Sequence, residues 1–336
     1  MDTKNQNSIP LQIWLFACCA LVFTIVIVGA ITRLTNSGLS MVEWRPLLGT
    51  LPPMNDAEWA RVFDLYKSSP EFEKKHFWMD LPDFKAIFFW EWFHRLLGRT
   101  IGLAFALPLL VFWVKGMIPK GYGLKFIAML ALGGLQGLMG WYMVKSGLSD
   151  DPYVSHYRLA AHLGLAFLIF SLLLWLALSL RGKPSRPSAP LYKHTIAALG
   201  ILILTIFWGA YTAGLDAGLI YNEYPLMGGQ FLPPTLAQYS PLWVNFFETP
   251  EGVQFTHRWL AALTLIAVIS LHVRAMREGY KDWQNFALAG MVCTQFALGI
   301  ATLLSSVHLH TAVAHQGGAL ILLGLLVINL KRFKGC

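Results

Sequence analysis

Residues 12–34 read QIWLFACCALVFTIVIVGAITRL, an apolar run with one charged residue, Arg33. A helix that crosses the hydrocarbon core of a bilayer needs about 20 such residues. The whole chain is 56% hydrophobic and only 13% charged, which is too apolar for an ordinary soluble domain. The sequence therefore predicts an all-α integral membrane protein with eight transmembrane helices, near residues 12–34, 86–114, 122–144, 157–180, 192–213, 253–274, 284–304 and 310–330.

The positive charges predict the orientation in the membrane. Residues 115–125, 181–193, 274–281 and 331–334 are basic and contain few acids. By the positive-inside rule these segments face the cytoplasm, and so do both termini. The net charge of +8 is then a topology signal, and binding to nucleic acid is not expected. No secretory or mitochondrial leader is recognised over residues 1–10, which favours the bacterial inner (plasma) membrane.

The four cysteines, Cys18, Cys19, Cys293 and Cys336, form no CxxC or CxxCH motif. Three lie in apolar spans, and Cys336 ends the predicted cytoplasmic tail. Zinc ribbons, thioredoxin-like motifs and covalently attached c-type haem are therefore excluded.

An internal repeat organises the chain. Four matches occur in the same order in both halves: residues 29–39 with 209–219 (including Asn36 with Asp216), 93–96 with 256–259, 136–140 with 295–299, and 161–164 with 314–317. Four helices per copy return the chain to its starting side, so the copies should be related by a pseudo-two-fold axis along the membrane normal. We expect an N-terminal four-helix bundle (1–180), a cytoplasmic linker (181–191) and a C-terminal four-helix bundle (192–336).

Four histidines, His94, His162, His257 and His315, lie one to two turns inside the predicted outer ends of the even-numbered helices. One intramembrane histidine often only bonds a neighbouring helix. Two per repeat at matching depth favour a pair of axial imidazoles for a haem iron in each half. Zinc is less favoured, because no carboxylate or cysteine accompanies both pairs at equal depth.

Arginines accompany these histidines. Arg95 and Arg258 directly follow His94 and His257, while Arg99 and Arg158 lie one turn from Arg95 and His162. Guanidinium groups suit the propionates of haem. The alternative is that they extend toward the interface to keep their charge in water.

Glu91 breaks the symmetry of the repeat. It stands three residues before His94, and its counterpart before His257 is Gln254. A carboxylate can take up a proton or stabilise a developing cation, whereas an amide cannot titrate. This difference assigns the chemistry to the first half and a resident electron-transfer haem to the second. The alternative is that Glu91 only lies at the membrane surface.

Other features are weaker. His156, His308 and His310 lie near outer helix ends as candidate surface residues, and His76 lies in a polar loop. Within residues 35–84, the spacing of Trp59, Phe63 and Tyr66 predicts an amphipathic helix over the outer mouth of the bundle.

Long motifs in this sequence resemble those of the haem A synthase family. They cover nearly the whole chain: Gly29–Ser40 with Glu43–Pro46, Trp90–Arg99, Gly134–Gly147, and Gly214–Asn222 with Pro225–Gly229. Some bacterial members carry a cysteine pair in the first outer loop. This chain has none there and is similar to the proteobacterial and mitochondrial branch.

The resemblance implies oxidation of the C8 methyl group of haem O to a formyl group by successive hydroxylations, which supplies haem A to terminal oxidases. It also implies haem b on His257 and His315, with Arg258 nearby. The substrate haem would lie at His94 and His162, near Arg95, Arg99 and Arg158, with Glu91 catalytic. Haem O, its synthase, oxidase assembly factors and membrane lipid are the expected partners, and self-association is left open.

Two other functions compete with this one. A quinol-linked di-haem b electron carrier needs only the four histidines and leaves the Glu91–Gln254 difference unexplained. A haem transporter or assembly scaffold binds haem reversibly without changing it. Analysis of extracted haem separates the three.

Overall fold

The computed structural model describes residues 8–43, 48–148, 152–181 and 186–334. Trp44, Arg45 and Pro46 of the first motif, residues 182–185 of the predicted linker, and Cys336 lie outside these ranges. Within them the chain is helical, with one isolated β-bridge and no strand. The longer helices of this described part are α1 Ser8–Leu34, α2 Asp56–Lys67, α3 Leu81–Val114, α4 Gly123–Gly147, α5 His156–Ser179, α6 Ala189–Gly214, α7 Pro250–Arg277, α8 Trp283–Leu304 and α9 Leu309–Phe333.

Eight of these helices, all except α2, are long and apolar enough to cross a membrane. The predicted all-α membrane architecture is confirmed. We call residues 35–80, between α1 and α3, the first connecting segment. Residues 215–249, between α6 and α7, are the second connecting segment.

Helix α3 starts at Leu81, five residues before the predicted start of its span. Asp80 caps it: its side chain accepts from the Asp83 amide at 3.0 Å, and the Asp83 side chain accepts from the Asp80 amide at 3.4 Å. This capping box stabilises a helix start in a polar stretch that hydropathy assigns to a loop. His94 therefore lies more than three turns from the start of its helix rather than one to two.

The chain forms two compact units, Ala20–Arg158 and Leu159–Cys336 together with Met1–Cys19. In the second, α6 packs on α7, α7 on α8, α8 on α9, and α9 on α6, which closes a ring of four helices. Helix α5 also packs here, because Phe170 lies against Gly324 of α9. The relation of two four-helix bundles by an axis along the membrane normal stays a prediction.

In the Ala20–Arg158 unit, α3 packs on α4 and the short helix α2 packs on the start of α3. Asn55 caps α2 by accepting from the Glu58 amide at 2.9 Å. The amphipathic helix predicted from Trp59, Phe63 and Tyr66 is confirmed, and its position over an outer mouth stays a prediction.

The aromatic contact between α2 and α3 buries Phe63, Tyr66, Phe84, Ile87 and Phe88. Full burial of each such apolar side chain contributes about 1.5–3 kcal/mol. The contact therefore fixes the first connecting segment to the helix that carries Glu91 and His94.

The backbone carries a trace of the repeat. Asn36 and Asp216, which the sequence repeat pairs, both have left-handed backbone angles, with φ of 50° and 49°. Each follows the end of the first helix of its half, α1 or α6. Asparagine and aspartate tolerate this conformation better than most residues other than glycine.

Candidate functional site

His257 of α7 and His315 of α9 face each other within the four-helix ring. Their ring centroids are 6.4 Å apart, and their planes are nearly perpendicular, at 81°. A metal–imidazole bond of about 2.0 Å, with the ring centre about 1.1 Å beyond the nitrogen, puts two imidazoles on opposite sides of one iron roughly 6.3 Å apart. The observed separation fits axial coordination of a single haem iron.

Hydrogen bonds orient both rings. Nδ1 of His257 lies 3.0 Å from the Thr205 carbonyl oxygen. Nδ1 of His315 lies 3.1 Å from the side-chain nitrogen of Gln295, which also donates to the His315 carbonyl oxygen at 2.8 Å. The Thr205 carbonyl oxygen can accept the Nδ1 hydrogen of His257, which leaves Nε2 of that ring able to bind a metal. The Gln295 nitrogen can only donate, so it holds the His315 ring through Nδ1 without supplying the acceptor that metal-binding histidines usually have.

Two glycines leave room for these rings. A Cβ atom at Gly209 would lie 2.9 Å from Cε1 of His257, and one at Gly299 would lie 3.0 Å from Cε1 of His315. Each imidazole therefore packs directly on the backbone of a neighbouring helix. Both glycines belong to the repeat, although no sequence pattern indicates that they contact the histidines.

The donor set fits haem better than a bare metal ion. Among the described residues, no three His, Cys, Asp or Glu side chains gather in a way that could hold a metal. A catalytic or structural zinc needs three or four protein ligands. Two histidines suffice for haem, because the porphyrin supplies the other four nitrogens.

Glu91 of α3 is buried, with 3% of its surface exposed, and all its bonding partners belong to the Ala20–Arg158 unit. One carboxylate oxygen accepts from the Ser40 hydroxyl and the Met41 amide, both at 2.7 Å. The other accepts from Arg95 at 2.5 Å, and Arg95 also donates to the Met41 carbonyl oxygen at 3.1 Å. Glu91 is therefore buried and hydrogen-bonded within this unit, while its depth in the membrane stays a prediction.

Gln254 of α7 occupies the matching frame in the second half. It is also buried and donates to the Ala217 carbonyl oxygen at 2.8 Å, while its own oxygen accepts from Arg258 at 3.1 Å. Arg258 donates further to the carbonyl oxygens of Tyr221, Glu223 and Leu226. The two halves thus share one geometry, an i,i+4 side-chain pair fastening a connecting segment to a helix. They differ in that the Glu91 carboxylate accepts hydrogen bonds from its connecting segment, whereas the Gln254 amide donates to its own.

His94 packs against α1, where a Cβ atom at Gly29 would lie 3.1 Å from its Nε2 atom. The matching pair Gly209 and His257 also packs together, but there Cε1 rather than Nε2 is the ring atom closest to the glycine. His162 lies in α5, in the other compact unit from His94. The sharing of one substrate iron by His94 and His162 therefore stays a prediction.

The arginines have protein partners of their own. Arg95 and Arg258 hold the connecting segments through the bonds described above, and the Arg158 guanidinium lies 4.8 Å from the centre of the Tyr142 ring. Arg99 lies one turn beyond Arg95 and is partly buried. The binding of haem propionates by these four residues stays a prediction.

Sequence reasoning missed several polar groups. The structure buries His76 and His156, which had been assigned to a polar loop and a surface, whereas His308 and His310 are exposed. His76 belongs to a hydrogen-bonded group with Tyr66 and Glu71. No pattern marks Glu71, because a lone acid in a polar loop looks like any solvated residue.

Comparison with known proteins identifies the family of this chain. The profile of the family COX15-CtaA, described as cytochrome oxidase assembly protein, matches residues 12–327. The chain is 48% identical over 328 residues to a protein named "Heme A synthase" from Rhodospirillum centenum, which covers 96% of this chain and 88% of that one. It is 47% identical to the protein of that name from Nitrosospira multiformis (96% and 92% covered) and 45% to that from Allorhizobium ampelinum (100% and 93% covered). The chain belongs to the COX15-CtaA family of cytochrome oxidase assembly proteins.

Proposed function

We propose that the chain is a haem A synthase, an oxidoreductase that converts the C8 methyl group of haem O to a formyl group by successive hydroxylations. Family membership and the names of its relatives support the activity. The observation that carries the mechanism is the buried Glu91 carboxylate in a frame where the other half has the Gln254 amide. The two halves have matching side-chain pairs, and only the pair of the first half contains a carboxylate. This arrangement suits a first half that carries out the reaction and a second half that accepts electrons.

In this proposal His257 and His315 hold a resident haem b, and His94 and His162 bind the iron of the substrate haem. The separation and orientation of the His257 and His315 rings support the first assignment. The repeat and the packing of His94 on Gly29 support the second. A haem b held by His257 and His315 would supply a one-electron carrier within the same protein, and an external electron acceptor would have to re-oxidise it four times for each formyl group formed.

Glu91 acts at the substrate methyl group. Converting a methyl to a formyl group with oxygen from water releases four electrons and four protons. Glu91 accepts such a proton or stabilises positive charge that develops at the methyl carbon. Ser40, the Met41 amide and Arg95 fix the carboxylate, so little reorganisation is needed when charge develops.

The membrane setting completes the proposal. Haem O enters laterally from the lipid, with its apolar tail in the bilayer and its propionates toward the outer surface, where Arg95, Arg99, Arg158 and Arg258 lie near the histidines. The protein lies in the bacterial inner membrane with both termini in the cytoplasm. Haem O synthase delivers the substrate, and oxidase assembly factors receive the product.

The test is to extract haems from cells that make haem O, with and without this protein, and to resolve them by mass. We expect a haem A or hydroxylated haem O peak from the wild type and none from Glu91→Gln, which should still bind haem. Glu43→Gln is the matched control, because Glu43 is a partly exposed carboxylate that pairs with Arg61 in the first connecting segment.

Wild-type amounts of haem A from Glu91→Gln would remove Glu91 from the mechanism. Unchanged haem O beside two tightly bound b haems would indicate a di-haem electron carrier. Reversible binding of unchanged haem would indicate a transporter or scaffold.

A further inference from the structure

Three titratable side chains of the first connecting segment form a buried group that the mechanism above does not use. The Tyr66 hydroxyl oxygen lies 2.6 Å from Nδ1 of His76 and 3.0 Å from a carboxylate oxygen of Glu71. Tyr66 is completely buried, and Glu71 and His76 are 4% and 7% exposed. Buried polar groups of this kind are costly unless they bond one another, so their shared position requires a reason.

The group lies along the same helix face as Glu91. The Tyr66 ring stacks on Phe84 of α3, with centroids 5.1 Å apart. Phe84, Ile87, Phe88 and Glu91 are all buried and recur at the spacing of one helix face. Seven residues separate Phe84 from Glu91, which is about 10 Å along the helix axis. Tyr66 thus packs two turns from the Glu91 carboxylate.

The two contacts of Tyr66 allow two proton arrangements. A phenol has one hydrogen to donate, so it donates to one neighbour and accepts from the other. When Glu71 is ionised, Tyr66 donates to it and His76 donates to Tyr66. When Glu71 is protonated, Glu71 donates to Tyr66 and Tyr66 donates to His76. Passing from one arrangement to the other moves a proton equivalent between Glu71 and His76 through the Tyr66 hydroxyl.

Burial and the nearby charges bring the pKa of Glu71 close to neutral pH. Burial raises the pKa of Glu71 to about 7; the Tyr66 hydrogen bond and Lys75 oppose this shift, and the negative charge of Glu91 adds to it. Burial and the charge of Lys75 lower the pKa of His76. Burial raises the pKa of Tyr66, as do the charges of Glu71 and Glu91. The Glu91 charge therefore acts on Glu71 and Tyr66, which are the inner members of the group.

We propose that Glu71, Tyr66 and His76 form a proton relay that carries protons released at Glu91 to the predicted outer surface. The proposal rests on the role of Glu91 given above. Both carboxylates are buried, so the proton passes from Glu91 to the Glu71 carboxylate through buried water. Glu71 then donates to the Tyr66 oxygen, the Tyr66 hydrogen passes to Nδ1 of His76, and His76 releases a proton from Nε2. One proton enters and one leaves, and no electron moves. The relay resets when the Tyr66 hydroxyl rotates and His76 exchanges its Nδ1 hydrogen for one on Nε2.

The outer end of the relay is close to the surface. The His76 ring lies beside the ring of Trp78, at 6.3 Å between centroids, and Trp78 is exposed. Lys75 turns away, with its ammonium 3.7 Å from the centre of the exposed Tyr153 ring and 3.3 Å from the Pro152 carbonyl oxygen. A proton leaving His76 thus reaches the rim of the segment.

The test compares Tyr66→Phe with wild type in membranes supplied with haem O. This change removes the hydroxyl and keeps the aromatic packing. We expect turnover to fall about a hundredfold, the lower end of the range for loss of proton-transfer groups, and the solvent deuterium isotope effect to rise because proton release becomes limiting. Glu71→Gln should abolish a wild-type inflection of the rate near pH 7. Tyr153→Phe is the control, since it loses a phenol near Lys75 outside the relay.

Wild-type turnover by Tyr66→Phe would overturn the relay, and so would slower turnover with an unchanged isotope effect and pH profile, because that result indicates a structural role. If Tyr66→Phe does not accumulate, His76→Gln replaces it with the same expectations. If the wild type makes haem A and the relay variant turns over at the wild-type rate, the relay is overturned and the proposed function is not. A wild type that makes no haem A overturns the proposed function together with the relay.

Discussion

Single atoms decide how His257 and His315, the proposed haem b ligands, are seated. Gly209 and Gly299 lie where any side chain would collide with His257 and His315, so the rings can pack directly on the helix backbones. Thr205 and Gln295 then fix the ring orientation through Nδ1. The two histidines are visible in the sequence, but the residues that position them are not.

Gly209→Ala should therefore weaken haem binding in the second half. The added methyl group overpacks the site by about 1–3 kcal/mol, which is roughly a five- to hundredfold loss of affinity. Gly200→Ala, on the same helix with nothing within 4 Å of its Cβ position, is the matched control. Absorbance titration of the purified variants with b-type haem measures the effect, and equal affinities would show that the ring tolerates displacement.

At the scale of elements, the first connecting segment is a folded structure and not a loose loop. Helix α2 packs through Phe63 and Tyr66 on Phe84 and Phe88 of α3. Its helical spacing was readable from the aromatic residues. Its partner was not, because Phe84 lies in a stretch that hydropathy assigns to a loop, and the Asp80 capping box extends α3 to include it.

The protection of the first connecting segment against hydrogen exchange should depend on pH through Glu71 and His76. The Glu71 pKa is raised in the folded state, so Glu71 contributes stability that is fully present below its unfolded pKa and is lost as the pH rises through about 7. His76 has a lowered folded pKa, so its contribution is present above its unfolded pKa and is lost on acidification.

Hydrogen exchange of residues 56–76, corrected for the intrinsic pH dependence, measures this effect. As the pH rises from 4.5 to about 7, the Glu71 contribution to protection should fall, and Glu71→Gln should remove that fall and leave only the loss on acidification from His76. Glu73→Gln, two residues away in the same segment, serves as the control. A wild-type decline that persists in Glu71→Gln would assign the dependence to another group.

At the scale of the whole molecule, the repeat places a similar i,i+4 side-chain pair in each half. The first residue of the pair is an acid in one half and an amide in the other. Glu91 with Arg95 and Gln254 with Arg258 hold their connecting segments in the same manner. The sequence predicts Arg95 and Arg258 as propionate ligands, and the structure gives them a structural role as well. That role could not be predicted, because the arginines are far in sequence from the connecting segments that they hold.

The proposed division of labour predicts different results from the two histidine pairs. His257→Ala and His315→Ala should lose the spectrum of the resident b-type haem. His94→Ala and His162→Ala should keep that spectrum and lose haem A production. Exposed His308→Ala should do neither. Reduced-minus-oxidised spectra and extracted haems measure both properties, and loss of the resident spectrum in His94→Ala would contradict separate sites.

The amino-acid sequence is enough to predict the eight spans, the repeat, the four histidines and the acid–amide difference between Glu91 and Gln254. These features depend on hydrophobic length and on residue identity, which are local properties. The folded chain was needed to show that both oxygens of Glu91 are hydrogen-bonded, that glycines seat the histidine rings, and that Tyr66, Glu71 and His76 share one buried group. Burial and hydrogen bonding depend on which distant segments meet, and the pattern of a single segment does not contain that information.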